Sequence, residues 1–173
     1  MSHMVRVNLK INDVEAYLDA VIAAGGEVRP LCDSYALYFE GCQRGILSLC
    51  GEANVYTEGR VSRFINETIA EYIRTKAEKH LAHKGFGLLA RKIADRRGAV
   101  VLTFARADGA QVKIECLNGR VSVSVSGVSG ESCLALTEEF EKDLGILAER
   151  ELTEEYYRPD PCLVLVGDRV WCG

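Results

Sequence analysis

A chain of 173 residues, 48% hydrophobic and 27% charged, has the composition of a globular protein with room for one domain or two small lobes. No run approaches the roughly 18 apolar residues of a membrane span, and MSHMVRVNLK lacks a signal peptide's apolar core, so a cytoplasmic location without membrane insertion is expected. Seven cysteines, odd in number and without a CxxC pair, argue against a disulfide framework or zinc ribbon; most are expected as small apolar fillers of strands.

The net charge of −4 conceals an asymmetry. From Arg74 to Arg97 eight Lys or Arg face two acidic residues, a balance of +6; from Glu131 to Asp160 ten acidic residues face three basic ones, a balance of −7. Such separation serves docking within one chain, head-to-tail association or an anionic partner, and charge alone does not choose among them.

In chain order, Val5–Leu9 alternates apolar and polar residues like a half-buried strand. Asn12 is placed to cap a helix, with Glu15 answering in a capping box, and Val14, Tyr17, Leu18, Val21 and Ile22 form its apolar stripe before Gly25 and Gly26. Tyr35–Phe39 and Ile46–Cys50 read as strands joined by EGCQRG, with Glu27–Leu31 as an edge strand demoted by Pro30 and Ala53–Tyr56 as an extension. From Arg60 to His83 a long helix is expected, because Val61, Ile65, Ile69, Ile73, Ala77 and Leu81 recur every four residues. Gly85 and Gly87 interrupt it, and Phe86, Leu88, Leu89 and Ile93 suggest a second, shorter amphipathic helix ending at Arg96, Arg97 and Gly98.

Beyond Gly98, Ala99–Ala105, Gln111–Cys116 and Arg120–Ser126 read as strands separated by Asp-Gly and Asn-Gly turns. In VSVSV the valines should face the core and the serines away from it. Ser129 or Ser132 caps a helix carrying Cys133, Leu136, Phe140 and Leu144 on one face, closed by Gly145. Ile146–Arg150 is a candidate strand, ELTEEYYRPDP an exposed turn or short helix, and Leu163–Trp171 a terminal hairpin. The expected fold is α+β: two small lobes of antiparallel sheet backed by helices, residues 1–97 and 98–173, packed together, the first with a ferredoxin-like order.

Two parts of the chain resemble families without an assigned function. MSH, an alternating strand and DVEAYLDAVIAAGG, followed by INETIAEYIRTKAEKHLAHKGFGL as a closing helix, resemble the family called hypothetical chloroplast reading frame thirty-five, or domain of unknown function twelve fifty-seven. On that ground Met1-Ser2-His3 is kept as native. VSVSVSGVSGESCLALTEEFEKDLG with RELTEEYY is similar to domain of unknown function twenty-nine ninety-seven, through Gly127, Gly130, Cys133, Thr153, Glu155, Tyr156 and Tyr157. Both resemblances imply company with ring-forming ATPases and action as one physical unit; neither carries a catalytic assignment.

No paired-carboxylate, Ser–His–Asp or HExxH pattern is legible, and no cofactor is called for. His80 and His83 in HLAH share a helical face as metal ligands would, but no motif supplies the rest of a site. Cys133, in the first turn of its helix, is a candidate reactive thiol; its place on the stripe with Leu136 and Phe140 argues for burial, and no base is near in sequence. The facing pair Cys42 and Cys50 is expected as filler. GVSGES resembles an anion-cradling turn without the Lys of a P-loop, and serves equally as helix capping.

Arg74, Lys76, Lys79, Lys84, Arg91, Lys92, Arg96 and Arg97 form the candidate binding surface. The function expected from these features is a non-enzymatic interaction or assembly-accessory role through charged helical faces, with a protein partner or a second copy. The alternative is a nucleic-acid-binding module using residues 74–97, with Tyr72 or Phe86 stacking on bases. A third reading is a redox or metal protein built on Cys133 or the HLAH pair.

Overall fold

The structure, a computed structural model, describes residues 3–51, 53–55, 60–94, 98–118 and 120–157. It is α+β, with three α-helices and two antiparallel sheets among the described residues. Among the described residues no helix is long and apolar enough to cross a membrane. The expected hairpin at Leu163–Trp171 lies outside the described residues.

The chain opens with β1 (His3–Leu9) and α1 (Val14–Ala23). The α1 cap is Asp13, whose carboxylate accepts from the Ala16 amide at 3.0 Å; Asn12, the expected cap, is used elsewhere. Gly25, at φ +87°, turns the chain out of the helix, and a Cβ at Gly26 would lie 2.7 Å from Phe64. Four strands follow in spatial sequence: β2 (Glu27–Pro30), β3 (Ser34–Phe39), β4 (Cys42–Ser48) and β5 (Ala53–Val55). β3 and β4 join through a two-residue turn at Glu40 and Gly41, both at positive φ as a tight hairpin requires. Phe39 stacks on Phe64 at 4.4 Å, tying this small sheet to the long helix α2 (Arg60–Leu81).

α2 ends as glycine dictates. After a 3₁₀ turn at Ala82–Lys84, Gly85 takes φ +82° and donates to Ala82 O, while the Phe86 amide donates to Leu81 O. This reciprocal pair satisfies the last carbonyls and reverses the chain. The expected second amphipathic helix does not form. Gly87–Ile93 is instead a strand, β6, returning beside β7 (Val100–Ala105). Its Leu, Ala, Arg and Lys favour helix locally, but pairing with the backbone of β7 overrides that preference.

β8 (Gln111–Leu117), β9 (Arg120–Ser126), α3 (Glu131–Leu144) and β10 (Gly145–Leu152) follow among the described residues. Val121, Val123 and Val125 are fully buried while the intervening serines are not, as the alternation requires. The large sheet runs β10-β1-β9-β8-β7-β6. β1 is antiparallel to both β9 and β10, so β9–α3–β10 is a split βαβ unit whose two parallel strands are separated by the N-terminal strand. In a ferredoxin-like order the first strand lies between the third and the fourth; β1 takes such a place between β9 and β10, in the large sheet and not within a lobe of residues 1–97. The sheets therefore do not divide at residue 98, since β6 and β7, on either side of Gly98, are hydrogen-bonded neighbours. α2 and α3 pack side by side on the large sheet, over β7–β8 and β1–β10 respectively.

Candidate interaction surface

The charge asymmetry is resolved first within the chain. Lys76 projects from α2 toward α3, and its side chain keeps only 8% of its exposure. A buried ammonium is costly unless paired and hydrogen-bonded. Its Nζ donates to Asp143 Oδ1 at 2.9 Å and to Asn12 Oδ1 at 2.6 Å. Asn12 also accepts from Tyr72 Oη at 3.0 Å and donates through Nδ2 to the Asp143 carbonyl and carboxylate, both at 3.0 Å. His80 Nε2 lies 2.9 Å from Asp143 Oδ2. Burial alone would raise the Asp143 pKa, but hydrogen bonds from His80, Lys76 and Asn12, with the Lys76 charge, hold it down at about 2. Beside this seam Tyr17 meets Tyr72 edge-on at 5.6 Å, and burial, then the Tyr72 hydroxyl, push the Tyr17 phenol up to about 12.

The basic segment and the acidic helix thus meet inside one molecule. Lys84 extends the seam, donating to the carbonyls of Ala135 and Leu136 on α3 at 3.0 and 2.8 Å. Glu141, nearly buried, receives Arg150 of β10 at 2.6 Å and Thr137 Oγ1 at 2.5 Å. Of the eight predicted surface cations, Arg74 is held by Glu71 and Glu78 on α2, and Lys76 and Lys84 by the seam. Arg91 reaches Glu71 at 3.2 Å from β6 rather than from a helix, and Lys92 is exposed on the same strand. Lys79 is exposed on α2, and Arg96 and Arg97 lie outside the described residues.

His80 is engaged by Asp143 and His83 is exposed on the 3₁₀ turn; no group of three or more His, Cys, Asp or Glu among the described residues could hold a metal ion. Cys133 is fully buried among the core residues of α3. Cys116 is also buried, and burial pushes its thiol up to about 12, so it is a protonated core residue near neutral pH. Cys32, Cys42 and Cys50 are exposed. The GVSGES turn is filled by the chain's own C-terminal tag: Glu155 Oε1 accepts from the Gly127 amide at 2.8 Å, and Tyr156 O from the Gly130 amide at 2.9 Å. α3 begins at Gly130 without a side-chain cap, in place of the expected serines. Gly127 is required twice over, by φ +75° and by the Ala110 backbone 3.0 Å from where a Cβ would stand.

Of the eight large apolar residues exposed among the described residues, Leu88, Leu89 and Ile93 share β6, while Ile22, Leu31, Ile46, Leu49 and Tyr157 lie elsewhere. β6 is an outer strand of the large sheet, exposed at every position but Ala90. Leu89 retains 64% of its exposure and Ile93 49%, with Leu88 also exposed. Between β6 and the end of α1 lies an open channel of about 380 Å³ lined by Ala23, Ala24, Glu67, Arg91, Lys92 and Ile93. Composition did not single out this strand, because a helix reading placed the same leucines on a core-facing stripe.

No curated protein and no solved structure matches the chain. Residues 117–157 match the family model described as Protein of unknown function (DUF2997), a span that runs from the end of β8 through β9, α3 and β10 to the Glu155–Tyr157 tag.

Proposed function

We propose that the protein is an interaction or assembly-accessory protein whose contact surface is the edge strand β6 with the adjoining end of α1. The observation that carries this reading is the exposure of Leu88, Leu89 and Ile93 together on an outer strand. Such edges are ordinarily short, charged throughout or covered, because their free backbone groups invite pairing. The internal engagement of Arg74, Lys76 and Lys84 moves the contact away from the basic helical face and toward this strand. The resemblance of the N-terminal half to the reading-frame-thirty-five family, joined to the matched C-terminal unit, makes a ring-forming ATPase the first class of partner to try.

The test is native mass spectrometry of the tagged chain purified from its host, for wild type and for Leu89→Asp/Ile93→Asp. A defined complex, with a partner or a second copy, is expected for wild type and not for the variant. Both side chains are exposed, so the variant should unfold within about 0.5 kcal/mol of wild type. Recovery of the bare monomer from both would overturn the reading.

A further inference from the structure

Residues 117–157, the span that matches the family model, carry two full strands of the large sheet that are not neighbours in it. β9 and β10 run parallel on either side of β1, roughly 10 Å apart, twice the spacing of adjacent strands. The other described residues of the span are the end of β8, the connecting turns, α3 and the tag. The unit therefore encloses a slot one strand wide, into which β9 and β10 direct backbone N–H and C=O groups that must be paired. The strand that pairs them comes from outside the unit. β1 is antiparallel to β9 from His3 to Asn8 and to β10 from His3 to Leu9. Of the strands described before α2, β1 alone enters the large sheet, while β2 to β5 form the small one. It is an arm that reaches from the first part of the chain into the second.

The residues just after β1 hold the end of α3. The Lys10 amide donates to Leu144 O at 2.8 Å, Ile11 is buried in the core, and Asn12 Nδ2 donates to the Asp143 carbonyl and carboxylate. Asp143 and Leu144 lie in the last turn of α3, where a helix leaves carbonyls without internal partners; Lys10 and Asn12 supply donors to two of them. β10 starts at the next residue, so this anchor sits at the corner where α3 becomes one wall of the slot. Main-chain pairing in the slot is indifferent to side chains, whereas the Asn12 bonds are not. The register adds a further constraint. Val5 and Val7 pair with Val123 and Val121, both fully buried, and a slip of one residue in either direction would put Arg6 opposite one of those valines.

We propose that the family-matched unit is a strand-accepting module and that residues 3–12 are its ligand, carried here on the same chain. The slot between β9 and β10 takes an extended segment with alternating apolar residues, and Asp143 recognises the asparagine that follows it. The contact persists when the segment is delivered by a separate molecule. Main-chain hydrogen bonds on both edges supply the affinity, and the register and Asn12 supply the selectivity. This site is separate from β6, which lies at the far edge of the same sheet.

In the full chain, Val5→Pro/Val7→Pro removes two amides from a strand paired on both sides and should vacate the slot. Fluorescence anisotropy then follows a labelled peptide of residues 1–13, MSHMVRVNLKIND. Saturable binding to the variant is expected, at least ten-fold tighter than to wild type, whose slot is filled. The peptide carrying Asn12→Ala should bind at least five-fold more weakly, and one carrying Val5→Pro/Val7→Pro should not bind. If the variant does not fold alone, refolding it with excess wild-type peptide should restore a cooperative unfolding transition, and the proline peptide should not. Equal affinity for wild type and variant would overturn the proposal, as would undiminished binding of either altered peptide. A variant that neither binds the wild-type peptide nor refolds with it would overturn it too. None of these results depends on the β6 contact, which is read separately by native mass spectrometry of Leu89→Asp/Ile93→Asp.

Discussion

On the α2 side of Gly85, Lys76 and His80 turn inward and close on Asp143 of α3; on the β6 side, Leu88, Leu89, Lys92 and Ile93 turn outward. The two regions are contiguous in sequence and similar in composition, yet one is a hydrogen-bonded seam and the other an open edge. The difference is topological. α2 lies beside α3 on one face of the large sheet, so its polar residues meet an acidic neighbour. Among the described residues β6 is the last strand of that sheet, with a neighbour on one side only. A run of positive charge in a sequence does not therefore specify a binding surface; the element that carries it and its neighbours decide.

The seam is the side of this comparison with the largest expected consequence. Asp143→Ala leaves the Lys76 ammonium buried without its carboxylate and should lower unfolding stability by about 3 kcal/mol in urea titrations. The double variant Lys76→Met/Asp143→Leu should recover most of that loss, because it removes the buried charge with its partner. A loss below about 0.5 kcal/mol for Asp143→Ala would mean that the seam is open to water and no different in kind from the edge.

Acid provides a second probe. The Asp143 carboxyl is held near 2, below its value in the unfolded chain, so its contribution is present above about pH 4 and is lost as pH falls toward 2. After discounting for solvent screening it is on the order of 1–2 kcal/mol. The stability gap between wild type and Asp143→Asn should accordingly narrow between pH 4 and pH 2, while β6 variants such as Lys92→Glu track wild type throughout.

The tag gives the smallest effect. Glu155→Ala removes the carboxylate that accepts from the Gly127 amide and should cost about 1 kcal/mol, as loss of a capping group does. No change would indicate that water replaces Glu155 at the turn.

Much of the fold was legible in the residues. The clean alternation of VSVSV, the four-residue stripe of α2 and the Asp-Gly turn between β7 and β8 each have a local cause, and each element formed where its pattern placed it. Non-local pairing was less legible. Nothing within HMVRVNL says that it will lie between β9 and β10, and nothing within GLLARKI outweighs its helix-favouring residues until β7 is beside it. Of the candidate site, Arg91 and Lys92 were found for their charge, but on a strand rather than a helix. Asn12 was misread because a cap at Asn12 and one at Asp13 look alike in sequence, and its bonds to Tyr72, Lys76 and Asp143 join residues 60 to 131 positions apart.

Amide hydrogen exchange on the full chain tests the contrast between seam and edge most directly. In the free protein, the amides of α2 around Tyr72–Leu81 should exchange slowly and those of β6 directed away from β7 quickly. Protection of every β6 amide, or fast exchange across Tyr72–Leu81, would contradict the account.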